Sequence, residues 1–272
     1  MMRLLSSGRA LVAVAILAAA PGVRLAAQID YRNLDDDRPV RIEDAYPAER
    51  FAFEFLVPYS YERDRTGAVL QASVLELEYG ILRNAQIGLK TPLAGVRASG
   101  ATTKWGLSGL RAFALYNFNT ESKLLPAVAL RADATFPVGS LGGDETQVSL
   151  KGIVTRSWGR HRLHLNGAVR LGRDAPGPLV EGLERWWYGA ALDRTFFRHS
   201  VLLVGEVYAS RDVATSPVEI NASLGLRWQW RPTAVLDVGI SRRLRNDLGP
   251  DYAVTVGISN AFAIVGLIPR GR

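Results

Sequence analysis

From Arg50 to the C-terminus, apolar and polar residues alternate with a period of two, the mark of a β-strand whose two faces meet different surroundings. About twelve such segments follow one another, each near the roughly ten residues of a tilted transmembrane strand. In the first, Phe51, Phe53, Phe55, Val57, Tyr59 and Tyr61 share one face, and Ala52, Glu54, Ser60 and Glu62 share the other. The fifth sets Val128, Leu130, Ala132, Ala134 and Phe136 against Arg131, Asp133 and Thr135. The tenth sets Val218, Ile220, Ala222, Leu224, Leu226, Trp228 and Trp230 against Glu219, Asn221, Ser223, Arg227 and Gln229. A water-soluble sandwich can produce one such strand, but not charge opposite long aliphatic side chains in nearly every segment. The pattern predicts an all-β fold: a transmembrane antiparallel up-and-down β-barrel of about 12 strands.

The links between segments agree. Short ones (Leu82 to Asn84, Asn119 to Lys123, Gly159-Arg160, Arg198-His199, Arg231-Pro232) alternate with longer ones (Arg63 to Ala68, Ala94 to Thr103, Val138 to Glu145, Gly172 to Gly182, Arg211 to Pro217, Arg242 to Pro250). A membrane barrel has tight periplasmic turns on one rim and longer extracellular loops on the other, and an even strand count puts both chain ends on the periplasmic side. The aromatic residues fall at the same two levels. Tyr79, Tyr116, Phe118, Trp158, Phe196, Trp228, Trp230 and Phe262 lie near the tight turns, while Tyr59, Tyr61, Phe136, Trp186, Tyr188 and Tyr252 lie near the longer loops. Two belts of amphipathic rings at headgroup level are expected of a membrane barrel. Arg156 and Arg194, outward in register, lie close to tight turns, where long cationic side chains reach the headgroups.

The start of the chain changes the picture. Arg3 and Arg9 precede an apolar run, Ala10 to Ala20, which Pro21 and Gly22 end; it is too short to span a bilayer as a helix and is expected to be a secretory signal peptide over 1–27. Residues 28–49 are expected to form a polar periplasmic segment and 50–272 the barrel, in the outer membrane of a Gram-negative cell. Removing Arg3, Arg9 and Arg24 with the leader lowers the formal charge from +7 to +4, without a basic run that would suit nucleic acid. There is no cysteine, so no disulfide scaffold.

Four stretches, RPVRIEDAYPAERFAFEF, LELEYGILRNAQIGLKTPL, GLSGLRAFALYNF and LPAVALRADATFPVGS, resemble the start of a bacterial barrel family. It is known as the putative MetA-pathway of phenol degradation, or transporter-like, family. The resemblance implies an outer-membrane barrel found beside catabolic genes, and the family name implies uptake of aromatic compounds. Gly106, Ser108, Gly109 and Leu115-Tyr116 stand near a Gly-x-Gly-Asp and Lys-Tyr pattern common in that family, so its acid and lysine are missing here.

If the apolar face meets lipid, the polar face lines the lumen. Glu54, Glu76, Glu78, Asp133, Asp193, Glu206, Glu219 and Asp237 then face Lys90, Arg111, Arg131, Lys151, Arg162, Arg170 and Arg227, which gives no strong single-sign field. Two alternatives stay open: a water-filled path, or an interior closed by paired charges. Arg111, Arg131, Arg162 and Arg170 are candidates for contact with a carboxylate-bearing solute, or members of an internal salt-bridge network. The N-terminal segment could enter the periplasmic mouth as a plug or hang as a disordered tail. No enzyme is expected: His161 and His199 sit beside tight turns, His164 points inward beside Arg162 and Asn166, and no outward Ser and His share a level. The chain shows no metal-ligand motif or phosphate-binding loop, so neither metal nor cofactor is expected. The expected partners are outer-membrane lipid and small solutes, aromatic or hydrophobic ones among them. The alternative is a closed-lumen structural or interaction barrel acting through its loops, chiefly Gly172 to Gly182 with its Pro176-Gly177-Pro178 core.

Overall fold

A computed structural model of the chain describes residues 24–25, 27–172, 184–212, 217–245 and 250–268. The expected leader, apart from Arg24, Leu25 and Ala27, lies outside the described residues, as does the Gly172 to Gly182 loop beyond Gly172. Twelve long strands are present: β1 (Ala52–Arg63), β2 (Val69–Leu82), β3 (Ala85–Arg97), β4 (Leu110–Asn119), β5 (Ala127–Phe136), β6 (Gln147–Trp158), β7 (His161–Leu171), β8 (Trp186–Phe196), β9 (Val201–Arg211), β10 (Glu219–Arg231), β11 (Ala234–Arg245) and β12 (Tyr252–Ile264). Each pairs antiparallel with its sequence neighbours, and β12 returns to β1 over the full strand, from Tyr252↔Arg63 to Ala263↔Ala52. The sheet is therefore sealed. No edge is left to expose unpaired backbone groups, which is the condition for a sheet to stand in hydrocarbon.

Period-two alternation becomes an inside and an outside. On β5, Ala129, Arg131, Asp133 and Thr135 are buried while Leu130 and Phe136 are exposed. The same inversion of a soluble protein runs round the barrel. Arg131, Arg227 and His164 are fully enclosed, whereas Leu89, Leu192, Leu224 and Ile240 stand outside. Those outer rows form the surface that meets acyl chains.

Two short extended pieces add to the barrel. Arg24–Leu25 pairs with Ile264 and Ala263 of β12, and Lys104–Leu107 pairs with the upper half of β3. β3 runs on to Arg97, into the Ala94 to Thr103 stretch expected to be a loop, because its upper half is hydrogen-bonded to β2 on one side and to Lys104–Leu107 on the other.

Residues 28–49, read from sequence as a polar periplasmic segment that is either a plug in the barrel mouth or a free tail, run through the barrel interior. At the tight-turn rim the Ile29 N–H donates to the Pro232 carbonyl at 3.0 Å, and the Gln229 amide donates to the Ile29 carbonyl at 2.6 Å. The chain climbs to a turn in which the Arg38 N–H donates to the Asp35 carbonyl at 3.1 Å. Asp37 there has φ 63°, in the left-handed region that Asp tolerates better than most residues. The chain then descends, with the Asp44 N–H donating to the Leu34 carbonyl at 3.0 Å, so that the rising and falling arms bind each other. Small inward residues make the room. Gly225 and Gly239 face each other on β10 and β11, and an added Cβ at either would lie 2.6 Å from the Pro39 ring or 1.9 Å from its carbonyl oxygen.

Candidate functional site

The site is the lumen with this hairpin in it. Of the ionic residues expected in the lumen, Arg111 and Arg170 are half-buried, and Glu54, Glu76, Glu78, Lys90, Arg131, Asp133, Lys151, Arg162, Asp193, Glu206, Glu219, Arg227 and Asp237 are buried. Their arrangement round the barrel is uneven. The bases stand on consecutive strands, β3 to β7 (Lys90, Arg111, Arg131, Lys151, then Arg162 and Arg170). The acids, Asp133 apart, stand on β1, β2 and β8 to β11, where Arg227 and Arg243 are buried bases among them. Near-balance in number conceals a cationic wall facing an anionic one.

The hairpin answers each wall with the opposite charge. Asp36 receives Lys151 Nζ at 2.5 Å, Lys90 Nζ at 2.7 Å, and guanidinium nitrogens of Arg111 and Arg131 at 3.4 Å each. Glu43 takes Arg131 at 2.9 Å and Lys151 at 2.5 Å, and Asp44 takes Arg162 at 3.1 Å. On the other side Arg38 reaches Asp237 at 3.2 Å and donates to the Ser259 hydroxyl at 2.6 Å. Arg41 pairs with Glu184, lies 4.4 Å from the Trp187 ring centroid, and its backbone N–H donates to Glu206 at 3.0 Å. Burial alone would push the Asp36 carboxyl up, but the Lys151 and Lys90 ammonium groups and their arginine neighbours hold it well below the usual carboxylate range. Asp44 is the reverse case: burial pushes it up to about 6 against the pull of Arg162 and His164.

A second kind of contact holds the hairpin to β8–β12. Ile29, Leu34, Val40 and Ile42 pack with Ala191, Leu202, Val204, Val235 and Ala261, all inward-facing. Ala45 packs on Leu115, Ala129 and Ile153. Polar side chains that the charge pattern did not single out complete the seat. The Thr155 hydroxyl accepts the Ala45 N–H at 3.0 Å, Gln86 accepts the Ala48 N–H at 2.5 Å, and the Asn117 amide donates to the Ala45 carbonyl at 2.7 Å.

The hairpin divides the interior. Above it, toward the long loops, is a cavity of about 470 Å³ with Asp36, Asp37, Pro39 and Arg41 as floor and Lys90, Arg111, Lys151, Arg170, Glu206 and Tyr208 among its walls. Below it, at the tight-turn rim, a cavity of about 580 Å³ is lined by residues that include Gln28 to Asn33, Glu54 and Gln229. Among the described residues none lines both. A hydroxyl–imidazole–carboxylate row is also present: Thr155 Oγ1 lies 3.0 Å from His164 Nδ1, and His164 Nε2 lies 2.9 Å from Asp193 Oδ2. None of the three lines either cavity, and the hydroxyl is engaged by the Ala45 N–H, so the row seats the hairpin rather than presenting a nucleophile.

On the outside, the expected belt residues Tyr59, Tyr116, Phe118, Phe136, Trp158, Tyr188, Trp228, Trp230 and Tyr252 are exposed. Tyr61, Tyr79, Trp186, Phe196 and Phe262 are half-buried. Phe53 stacks at 4.5 Å on Tyr79 and at 5.4 Å on Phe262, a row of rings across the seam where β12 meets β1. The Arg156 guanidinium donates to the Ser122, Lys123 and Leu125 carbonyls of a tight-rim turn.

A sealed antiparallel cylinder with apolar rows outside and ionic rows enclosed is a transmembrane β-barrel. Solved structures of that class are similar to it. The COG4313 outer membrane channel from Pseudomonas putida F1 aligns with a TM-score of 0.59 at 14% identity, over 84% of this chain and 100% of that one. The NanC porin aligns at 0.51 with 9% identity, over 76% and 98%, and the KdgM porin, solved with oligogalacturonate, at 0.50 with 12% identity, over 75% and 98%. Likeness at these identities establishes the fold. No protein-family model matches the chain, so the resemblance to the phenol-degradation family has no such support, and no curated protein matches it.

Proposed function

We propose that the chain is an outer-membrane channel for small solutes whose N-terminal hairpin is a displaceable plug. One observation carries the reading: the hairpin belongs to neither the sheet nor its turns, is held chiefly through side chains, and separates two cavities that would otherwise be one lumen. With the plug withdrawn, the cationic wall of β3–β7 would face the acids of β8–β11 across water, a transverse field that orients dipolar and carboxylate-bearing solutes. Aromatic acids, in keeping with the sequence resemblance, are the narrower form of this proposal. The densely satisfied ionic seat favours a second reading, a permanently closed barrel. Planar-bilayer recordings separate the two. The channel reading expects small or brief conductance steps from the intact chain and large steady ones when residues 28–49 are deleted. A silent intact barrel that also excludes small solutes from liposomes under every pH and salt tried would overturn it in favour of the closed form.

A further inference from the structure

The plug satisfies the cationic wall with Asp36, Glu43 and Asp44, but the acids of β1 and β2 are left without equivalent partners. Glu54 of β1 and Glu78 of β2 stand directly opposite each other in the sheet register, both pointing inward. Asp35, on the turn of the plug, comes down on the same spot, and one carboxylate oxygen from each of the three lies within 4.8 Å of the others. Glu54 is 7% exposed and Glu78 2% exposed, yet among the described residues neither has a hydrogen bond or an ion pair. Asp35 gives both of its guanidinium contacts, to Arg38 and to Arg227 at 2.8 Å, through Oδ2 alone, which leaves Oδ1 uncommitted. Arg38 and Arg227 are themselves shared with Asp237, at 3.2 and 2.8 Å. Two guanidinium groups thus serve Asp35 and Asp237, and among the described residues no cation stands within ion-pair distance of Glu54 or Glu78. Enclosed carboxylates this close repel strongly unless a shared proton or a cation lies between them.

We infer that Asp35, Glu54 and Glu78 form a binding site for a hard divalent cation of the calcium type, which ties the plug to β1 and β2. The donors are all carboxylate oxygens, the set such cations prefer over softer transition metals, and Asp35 through Oδ1 with Glu54 and Glu78 in mono- or bidentate modes supplies about three to five of the roughly six to eight oxygens calcium takes. Glu54 lines the cavity at the tight-turn rim, which gives an ion an approach to the site from that side. The three residues come from separate stretches of chain, which is why no ligand spacing is visible in the sequence. The site does not depend on whether the barrel conducts.

Equilibrium dialysis of the full chain, extracted in detergent and stripped with EDTA, tests this against calcium alone. One calcium ion per chain is expected, and heating should unfold the barrel at a higher temperature with calcium than with EDTA. Binding and the thermal shift should both vanish in the Glu54→Gln, Glu78→Gln double variant and persist in an Asp144→Asn, Glu145→Gln control, whose changes fall in an exposed loop. Asp35→Asn lies outside the strands and gives a second loss-of-binding variant should the double variant not insert. Absence of bound calcium in the intact chain, or binding that survives both Asp35→Asn and the double variant, overturns the site.

Discussion

On the β3–β6 side, the plug meets Lys90, Arg111, Arg131 and Lys151 through its own acids, nearly all at hydrogen-bonding distance. On the β8–β12 side it meets Leu202, Val204 and Val235 through Leu34, Val40 and Ile42. The same hairpin is therefore held by two contrasting forces. Withdrawal of the ionic side exchanges protein partners for water, a near-even trade, so those pairs fix where the plug sits more than how tightly. Withdrawal of the apolar side exposes large aliphatic groups at about 1.5–3 kcal/mol each, and this side supplies most of the holding force.

The comparison can be broken at four places. The chain has no native cysteine, so a Val40→Cys reporter and a membrane-impermeant thiol reagent measure plug exposure directly. The largest effect is expected from Gly239→Val. Its branched side chain would occupy the space of the Pro39 carbonyl, so the turn cannot seat, and the reporter should react fully while the barrel stays folded. Asp36→Asn comes next: it leaves four cations clustered without their shared anion, at a cost of about 3–5 kcal/mol if they stay dry. Added salt should partly restore protection in this variant by screening the repulsion, and no salt response would mean that water already reaches the cluster. Leu34→Ala should cost about 2–5 kcal/mol of plug docking with little dependence on salt; equal salt sensitivity at both sites would erase the distinction between the two walls.

The smallest effect is on pH. Asp44, with Arg162 and His164 of β7 facing it and Asp35 on its own hairpin, has a docked value of about 6, above its free value of 3.8. The docked plug therefore binds this proton more tightly than the free one. The contribution grows as pH falls through 6, is complete below 3.8, and is absent above 6, with a span of about 3 kcal/mol. Asp36 shifts the other way, so its contribution is lost as pH drops below 3.8. Reporter protection should rise from pH 7 to about 5, and Asp44→Asn should flatten that rise.

The barrel was legible because each strand repeats one two-residue rule, and twelve repetitions of a weak local signal leave little freedom. β5 shows this plainly, with Arg131 and Asp133 turned in and Leu130 turned out as the alternation requires. Residues 28–49 carry no period, and their conformation is dictated by partners far along the chain, as with Arg38 and Asp237 or Ala45 and Thr155. Two signals were present. Asp35-Asp36-Asp37 is an acidic triplet suited to a cationic wall, and Val201 to Val204 is apolar on both faces, which in a barrel means that something greasy lies inside. The separation of bases and acids into opposite walls could be read only by assigning charge strand by strand instead of summing it.

The closing of the cylinder also sets an order of assembly. Phe262 of β12 meets Phe53 of β1 across a gap of about two hundred residues, and until it does the hairpin's two seats, on β3–β6 and β8–β12, do not exist as opposite sides of one chamber. Because the hairpin runs directly into β1, it is already at the threshold when the last strand zips to the first. Its ordering is then the final event of folding. A chain stalled before the seam closes would show sheet without protection of residues 28–49, which pulsed hydrogen exchange would resolve in time.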